Sequence, residues 1–281
     1  MHTSRERAIS PLEIVLLALL GVGVGTYGTL VGVGGGFLVV PLLLVIYKLP
    51  PPAAAATSLV VVCLNAISGS FSYLRMRRVD VRTGVLLAVA TIPGAIIGPG
   101  LAERVPERAF KISFALFLLI LSAILLRHPE RIAKPGAESP DSRWHMHRTF
   151  TDREGRTFQY HYNLAVALGI SFVVGILSSM LGIGGGIIHV PAMIHLMNFP
   201  VHIATATSQF VLAITSGTGV VEYAMRDRVV WPLALAIGSG VIVGAQLGAK
   251  LSHRLKVAGI VRLLTIALVV LAFRLLWSAF S

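Results

Sequence analysis

The chain has 281 residues, of which 55% are apolar and only 13% charged, with a mean hydropathy of +0.82. Soluble domains carry about 25% charged residues, so the composition excludes a water-soluble globule, a disordered chain, collagen and a disulfide scaffold, and places the chain in a lipid bilayer. Twenty-four basic and twelve acidic residues give a net charge of +12; because the basic residues sit between apolar spans, they read as the Lys and Arg excess of cytoplasmic loops rather than as a nucleic-acid surface.

The first apolar segment begins at Ile14 and runs on well past the roughly 7–15 residues of a signal-peptide core, so no cleavable signal is expected and the segment stays in the membrane. Stretches free of Asp, Glu, Lys and Arg cover residues 14–47, 49–74, 83–102, 112–126, 162–221 and 229–249, and a last one after Lys256 is broken only by Arg262. A spanning helix needs about 20 residues, so the 34 of the first stretch are too many for one pass and the 60 of the fifth need several. Both are interrupted by glycine triplets and prolines, which implies broken or re-entrant helices. Cys63 lies in an apolar stretch and reads as a small buried hydrophobe.

Between the halves the composition changes abruptly. Residues 127–161 hold seven of the basic and five of the acidic residues and read as a cytoplasmic loop. His145, His147 and His161 lack a regular ligand spacing there and read as solvated, so no metal and no other cofactor is expected.

Sliding the second half by 150 positions places Gly25 on Gly175, Gly32 on Gly182, Gly34, Gly35 and Gly36 on Gly184, Gly185 and Gly186, Pro41 on Pro191 and Pro50 on Pro200. The register continues through Thr57 and Ser58 on Thr207 and Ser208, Tyr73 on Tyr223, Arg78 on Arg228, and Gly94 and Gly98 on Gly244 and Gly248. The expected fold is therefore an all-α polytopic membrane protein of two homologous repeats of four to five helices, with broken or re-entrant helices at the glycine triplets. Its units are a first transmembrane repeat at 11–126, a cytoplasmic linker at 127–161 and a second repeat at 162–277. Two topologies stay open. Eight full spans with the N-terminus inside divide the basic residues 16 to 7, omitting Arg262; five spans per half, inverted, with the N-terminus outside, divide them 14 to 9. Charge favours the first, whereas the second sets two broken helices face to face near the midplane.

Candidate chemistry centres on the triplets Gly34, Gly35, Gly36 and Gly184, Gly185, Gly186, each followed by a proline five residues later. A helix starting just after such a triplet would aim free N–H groups and the positive end of its dipole at a ligand, making an anion site without a charged side chain. Tight helix packing through small residues is the structural alternative. Neither copy carries the Lys of a nucleotide-binding P-loop. Thr57, Ser58, Thr207, Ser208 and Gln209, with Asn65 deeper in the same span, offer donors to an oxyanion; hydrogen bonding within and between helices is the alternative. His189 and His195 are candidates for proton coupling, although Val39 occupies the matching place of His189 in the first half. Arg75, Arg77, Arg78 and Arg82 read as a topological anchor. No catalytic constellation is visible, so an enzyme is not expected.

The paired G-x-G-G-G-x-x-x-x-P elements at 32–41 and 182–191, each followed after a proline by A-x-A-T-S, resemble the sulfite exporter TauE/SafE family of membrane transporters. The resemblance covers roughly 21–101 and 169–251 and implies a transporter of sulfite, sulfonates or related organosulfur anions. The expected function is secondary transport of such anions across the inner (plasma) membrane, with the substrate bound between the repeats. The small anion and the bilayer are the expected partners, and assembly into a homo-oligomer stays open. An anion channel or facilitator is the alternative reading, ahead of an integral membrane enzyme.

Overall fold

The computed structural model describes residues 10–127, 145–151, 155, 157–252 and 257–280. With no water in the hydrocarbon, a chain this apolar has to satisfy its backbone within each segment, and helices do so. The helices of the first half are α1 (Pro11–Val31), α2 (Gly36–Val45), α3 (Pro51–Arg75), α4 (Val81–Arg104) and α5 (Glu107–Arg127); those of the second are α6 (Leu164–Leu181), α7 (Gly186–His195), α8 (Val201–Met225), α9 (Trp231–Leu251) and α10 (Val257–Phe280). Among the described residues, α1, α3, α4, α6 and α9 are long and apolar enough to cross a membrane. At ten residues, α2 and α7 reach about 15 Å, half of a hydrocarbon core about 30 Å thick. Large apolar side chains such as Leu19, Val89, Leu235 and Phe273 are exposed, which in water would be an aggregation liability and in lipid is the matching surface.

The expectation of an all-α chain needs correction. Part of the segment read as a solvated loop is an antiparallel hairpin of β1 (His145–Thr151) and β2 (Thr157–Asn163), with Arg148 opposite Tyr160 and His147 opposite His161. Its alternation buries Tyr160 and Tyr162 against Phe199, with ring centroids 4.1 and 6.0 Å apart. Residues 128–144 of the expected linker lie outside the described residues.

Local signals set the helix ends. Ser10 accepts the Glu13 N–H ahead of Pro11, Asp80 accepts that of Thr83, and Asn163 accepts those of Ala165 and Val166. A few long-range bonds fix direction. The Asp80 N–H donates to Thr207 Oγ1 at 3.1 Å, so α4 and α8 start on the face that carries the hairpin. The Val230 N–H donates to Thr57 Oγ1 at 3.0 Å, so α9 and α3 start on the opposite face. Tyr47 Oη donates to Glu13 Oε1 at 2.8 Å, returning the end of α2 to the start of α1.

The two halves interlock. Gly240, Gly244 and Gly248 of α9 lie directly against the main chain of Ala18, Val22 and Thr26 in α1, while Gly94 and Gly98 of α4 lie against Phe172, Ile176 and Met180 in α6. Small residues four apart let these parallel helices approach to backbone contact, the interface that lipid favours because apolar side chains gain little by leaving it.

Candidate functional site

Each glycine of a triplet has its own reason. Gly34 and Gly35 have φ of 84° and 78°, and Gly184 and Gly185 have 84° and 73°, values in the left-handed region that side chains rarely adopt. Gly36 and Gly186 open α2 and α7 outside that region and are needed for space. A Cβ on Gly36 would lie 2.6 Å from the Gly182 carbonyl oxygen and 2.9 Å from Ile183 Cα, and one on Gly186 would meet the Gly32 carbonyl and Val33. The start of each short helix therefore abuts the end of the preceding long helix of the other half.

Serine hydroxyls tie this crossing. Ser58 Oγ in α3 donates to Gly182 O at 2.8 Å, and Ser208 Oγ in α8 donates to Gly32 O at 3.1 Å. Tyr73 and Tyr223 donate to Thr29 O and Ser179 O, both at 3.0 Å. The serine bonds fall on the carbonyls that cap α1 and α6, and the tyrosine bonds bring a donor to carbonyls in the last turns of those helices. Thr57 and Thr207 accept the N–H groups of Val230 and Asp80, as above, so four of the predicted site hydroxyls are engaged with the backbone of the other half. Val62 and Leu212 meet at the centre, where each lies against both Gly34 and Gly184.

Next to this crossing is a polar layer. Thr29 Oγ1 donates to Asn65 Oδ1 at 3.1 Å and accepts from Gln209 Nε2 at 3.0 Å. All three residues are fully buried, yet Asn65 Nδ2 and Gln209 Oε1 have no hydrogen-bond partner, nor do Ser178 Oγ and Ser179 Oγ. The Ser178 hydroxyl lies beside Gly185, about where a Cβ on that glycine would be 3.2 Å away. Unpaired buried polar atoms cost about 1–3 kcal/mol each, and a ligand able to donate and accept would relieve them. Sequence reasoning found Asn65 and Gln209 but missed Thr29, Ser178, Ser179, Val62 and Leu212. Thr29 and Ser179 are themselves 150 apart, a signal that was available.

The two candidate histidines are separated. His189 is buried in α7 with Nε2 3.1 Å from Ser171 Oγ, whose own proton goes to Ala167 O at 2.8 Å. The ring nitrogen must then be the donor, which fixes the Nε2–H tautomer. His195 ends α7 and is exposed. Outside the membrane core, burial pushes the Asp80 carboxyl up, but hydrogen bonds from Arg148, Thr83 and Tyr160 outweigh it and hold the group below the ordinary carboxylate range. Hydrogen bonding to Asp80 works against burial at Arg148 and raises its guanidinium further, while burial and the same carboxylate push the Tyr160 phenol up.

A family model described as sulfite exporter TauE/SafE matches residues 17–275. The chain is 32% identical over 274 residues to the probable membrane transporter protein YunE of Bacillus subtilis, covering 95% of this chain and 98% of that protein. A probable membrane transporter protein of Methanocaldococcus jannaschii is 27% identical over 87% of this chain and 88% of its own length. The probable membrane transporter protein YdhB of Bacillus subtilis is 27% identical over 86% and 90%. No solved structure matches the chain.

Proposed function

The chain belongs to the sulfite exporter TauE/SafE family, and we propose that it is a secondary transporter of small sulfur-containing anions, bound where the starts of α2 and α7 meet. The observation that carries this reading is that α2 and α7 both start at one crossing, Gly36 against Gly182 and Gly186 against Gly32, where Val62 and Leu212 each lie against both Gly34 and Gly184, beside buried polar atoms that lack partners. Two helix starts supply about half a positive charge each from amides already without helical partners, whereas burying a lysine or arginine there would cost several kcal/mol.

In this reading the two units, 11–126 and 162–277, are inverted repeats. From α2 and α7 onward equivalent elements begin 150 residues apart, and α1, parallel to α9, starts on the face opposite the hairpin whereas α6 starts on the hairpin face. The short helices α2 and α7 are the returning arms of re-entrant pairs, which leaves three crossings per half and puts the N-terminus and the hairpin on opposite sides. The hairpin face carries the larger share of basic residues and is the cytoplasmic one, in a plasma-membrane protein. Val62 and Leu212 fill the centre in the closed form and must part for a substrate to pass.

The test is uptake into proteoliposomes of sulfite, thiosulfate, sulfoacetate, taurine and sulfate, with and without an imposed proton gradient, paired with binding to the purified protein. Saturable accumulation of a sulfur anion driven by the gradient supports the proposal, equilibration alone identifies a facilitator, and equal binding of a sulfonate and its uncharged amide refutes an anion site.

A further inference from the structure

The β-hairpin is held against the helices by a buried polar junction. Arg148 reaches Asp80 with Nη2 2.7 Å from Oδ1 and Nε 3.3 Å from Oδ2, and Tyr160 Oη donates to Oδ2 at 2.6 Å. Thr83 Oγ1 donates to the same carboxylate at 2.6 Å and lies 3.1 Å from Tyr162 Oη. Asp80 is only 2% exposed, and the Arg148 side chain 19%.

The hairpin also reaches the other half. Tyr160 and Tyr162 pack on Phe199 in the connection between α7 and α8, in one apolar cluster with Leu87, Met193 and Met197. Asn198 Nδ2 donates to His161 O at 3.3 Å. One short strap thus spans the start of α4 and the approach to α8. Its anchor is one bond from the crossing, because the Asp80 N–H is held by Thr207 and the adjacent Ser208 holds Gly32 O. The opposite face has no comparable anchor at the matching position, where Val230 stands for Asp80. It carries instead Glu103 with Arg226 at 3.1 Å and Arg228 at 2.8 Å, the arginine side chains being 37% and 50% exposed.

We propose that the hairpin is a latch which closes the hairpin-face route to Val62 and Leu212 at the glycine crossing and has to release Asp80 before that route opens. A buried ion pair suits a latch better than a fastening. Its desolvation offsets most of its attraction, so it adds little net stability while it is strict about geometry, and it can be exchanged for water at modest cost once the apolar cluster loosens. The proposal rests on the transporter reading, but its main test needs no substrate.

In a Cys63→Ala background, Leu212→Cys is placed against the crossing, and its modification by a membrane-impermeant thiol reagent is timed in vesicles that expose the hairpin face. Arg148→Ala and Asp80→Asn are expected to speed modification at least tenfold, with Arg148→Lys intermediate. Rates within twofold of the parent in Arg148→Ala would overturn the latch, and that comparison stands even if Asp80→Asn fails to fold. In a second arm, in the same Cys63→Ala background, Tyr160→Cys and Phe199→Cys are bridged through two disulfides by a short bis-methanethiosulfonate reagent. Transport should fall at least tenfold on bridging and return on reduction, while either single variant is unaffected by the reagent. A bridged protein that transports at its unbridged rate would overturn the proposal. Slow modification of Leu212→Cys that Arg148→Ala accelerates would keep the latch even if no sulfur anion proved to be transported.

Discussion

Replacing Gly36 by alanine tests whether the crossing is as tight as the backbone implies. The added Cβ would fall 2.6 Å from Gly182 O, 2.7 Å from Val62 Cγ2 and 2.9 Å from Ile183 Cα. A valine methyl can turn away, but Gly182 O belongs to a backbone that Ser58 holds at 2.8 Å, so the helix start itself must shift. Since Gly36 lies outside the left-handed region, no dihedral penalty contributes, and the cost is overpacking alone, about 1–3 kcal/mol. For a chain of this size each kcal/mol lowers the midpoint by about 2–4 °C, so Gly36→Ala should melt roughly 2–12 °C early in detergent, and Gly186→Ala similarly. Gly23 in α1 and Gly169 in α6 have nothing within 4 Å of a built Cβ. Alanine there should be neutral or stabilising by up to about 1 kcal/mol through helix propensity. The measurement is thermal unfolding of the four purified variants together with their transport. Wild-type midpoints and activity in Gly36→Ala and Gly186→Ala would refute the close crossing.

Thr57→Val leaves the Val230 N–H without its acceptor, so it should cost about 1–3 kcal/mol of stability by thermal unfolding; unchanged stability with lost substrate affinity would assign the hydroxyl to the substrate instead. Asp80 is held below the ordinary carboxylate range by donors that outweigh its burial. Its contribution is therefore fully present above the unfolded pKa near 4 and is lost as pH falls through the lower folded value. Unfolding midpoints should stay level from pH 8 to 5 and drop below about 4, with a smaller acid drop in Asp80→Asn; a drop beginning at pH 6 would contradict the assignment. His189 is committed as a donor to Ser171, so His189→Gln, which keeps a donor, should preserve the pH profile of transport, and a profile flattened by that variant would return the proton-coupling role to it.

Much of the scaffold was legible because its causes are local. Two successive residues at φ of 73–84° favour glycine strongly, so the triplets announced two chain breaks, and Pro50 and Pro200 announced the helices that follow. The hairpin was legible too: Met146, Arg148 and Phe150 alternate with polar residues, as do Phe158, Tyr160 and Tyr162, with Gly155 in the turn. Its charge and its histidines drew the reading toward a solvated loop. What the sequence hid was the partner of each hydroxyl, since Thr57 and Ser58 meet residues 173 and 124 positions away.

Those partners change where substrate chemistry is to be sought. Several residues matched across the halves are spent on backbone, Thr57 and Thr207, Ser58 and Ser208 on that of the other half, Tyr73 and Tyr223 on that of their own. A crossing of two similar halves asks the same of both. The unmatched positions behave differently. Asn65 faces Thr215 in the 150-residue register, Gln209 faces Leu59 and His189 faces Val39, and the unpaired buried Asn65 Nδ2 and Gln209 Oε1 belong to this set. A sulfonate has one oxygen-bearing end and one that differs from it, so it has no use for a symmetric pair of hydroxyls. Asymmetric groups that folding leaves unsatisfied are where its discrimination should lie. Asn65→Leu and Gln209→Leu should therefore change which anion is selected, while Ser58→Ala and Ser208→Ala should lower stability and leave the order of preference among anions as it was. A competition assay across the five sulfur anions separates the two, and a preference order altered by the serine variants but not by Asn65→Leu or Gln209→Leu would reverse the assignment.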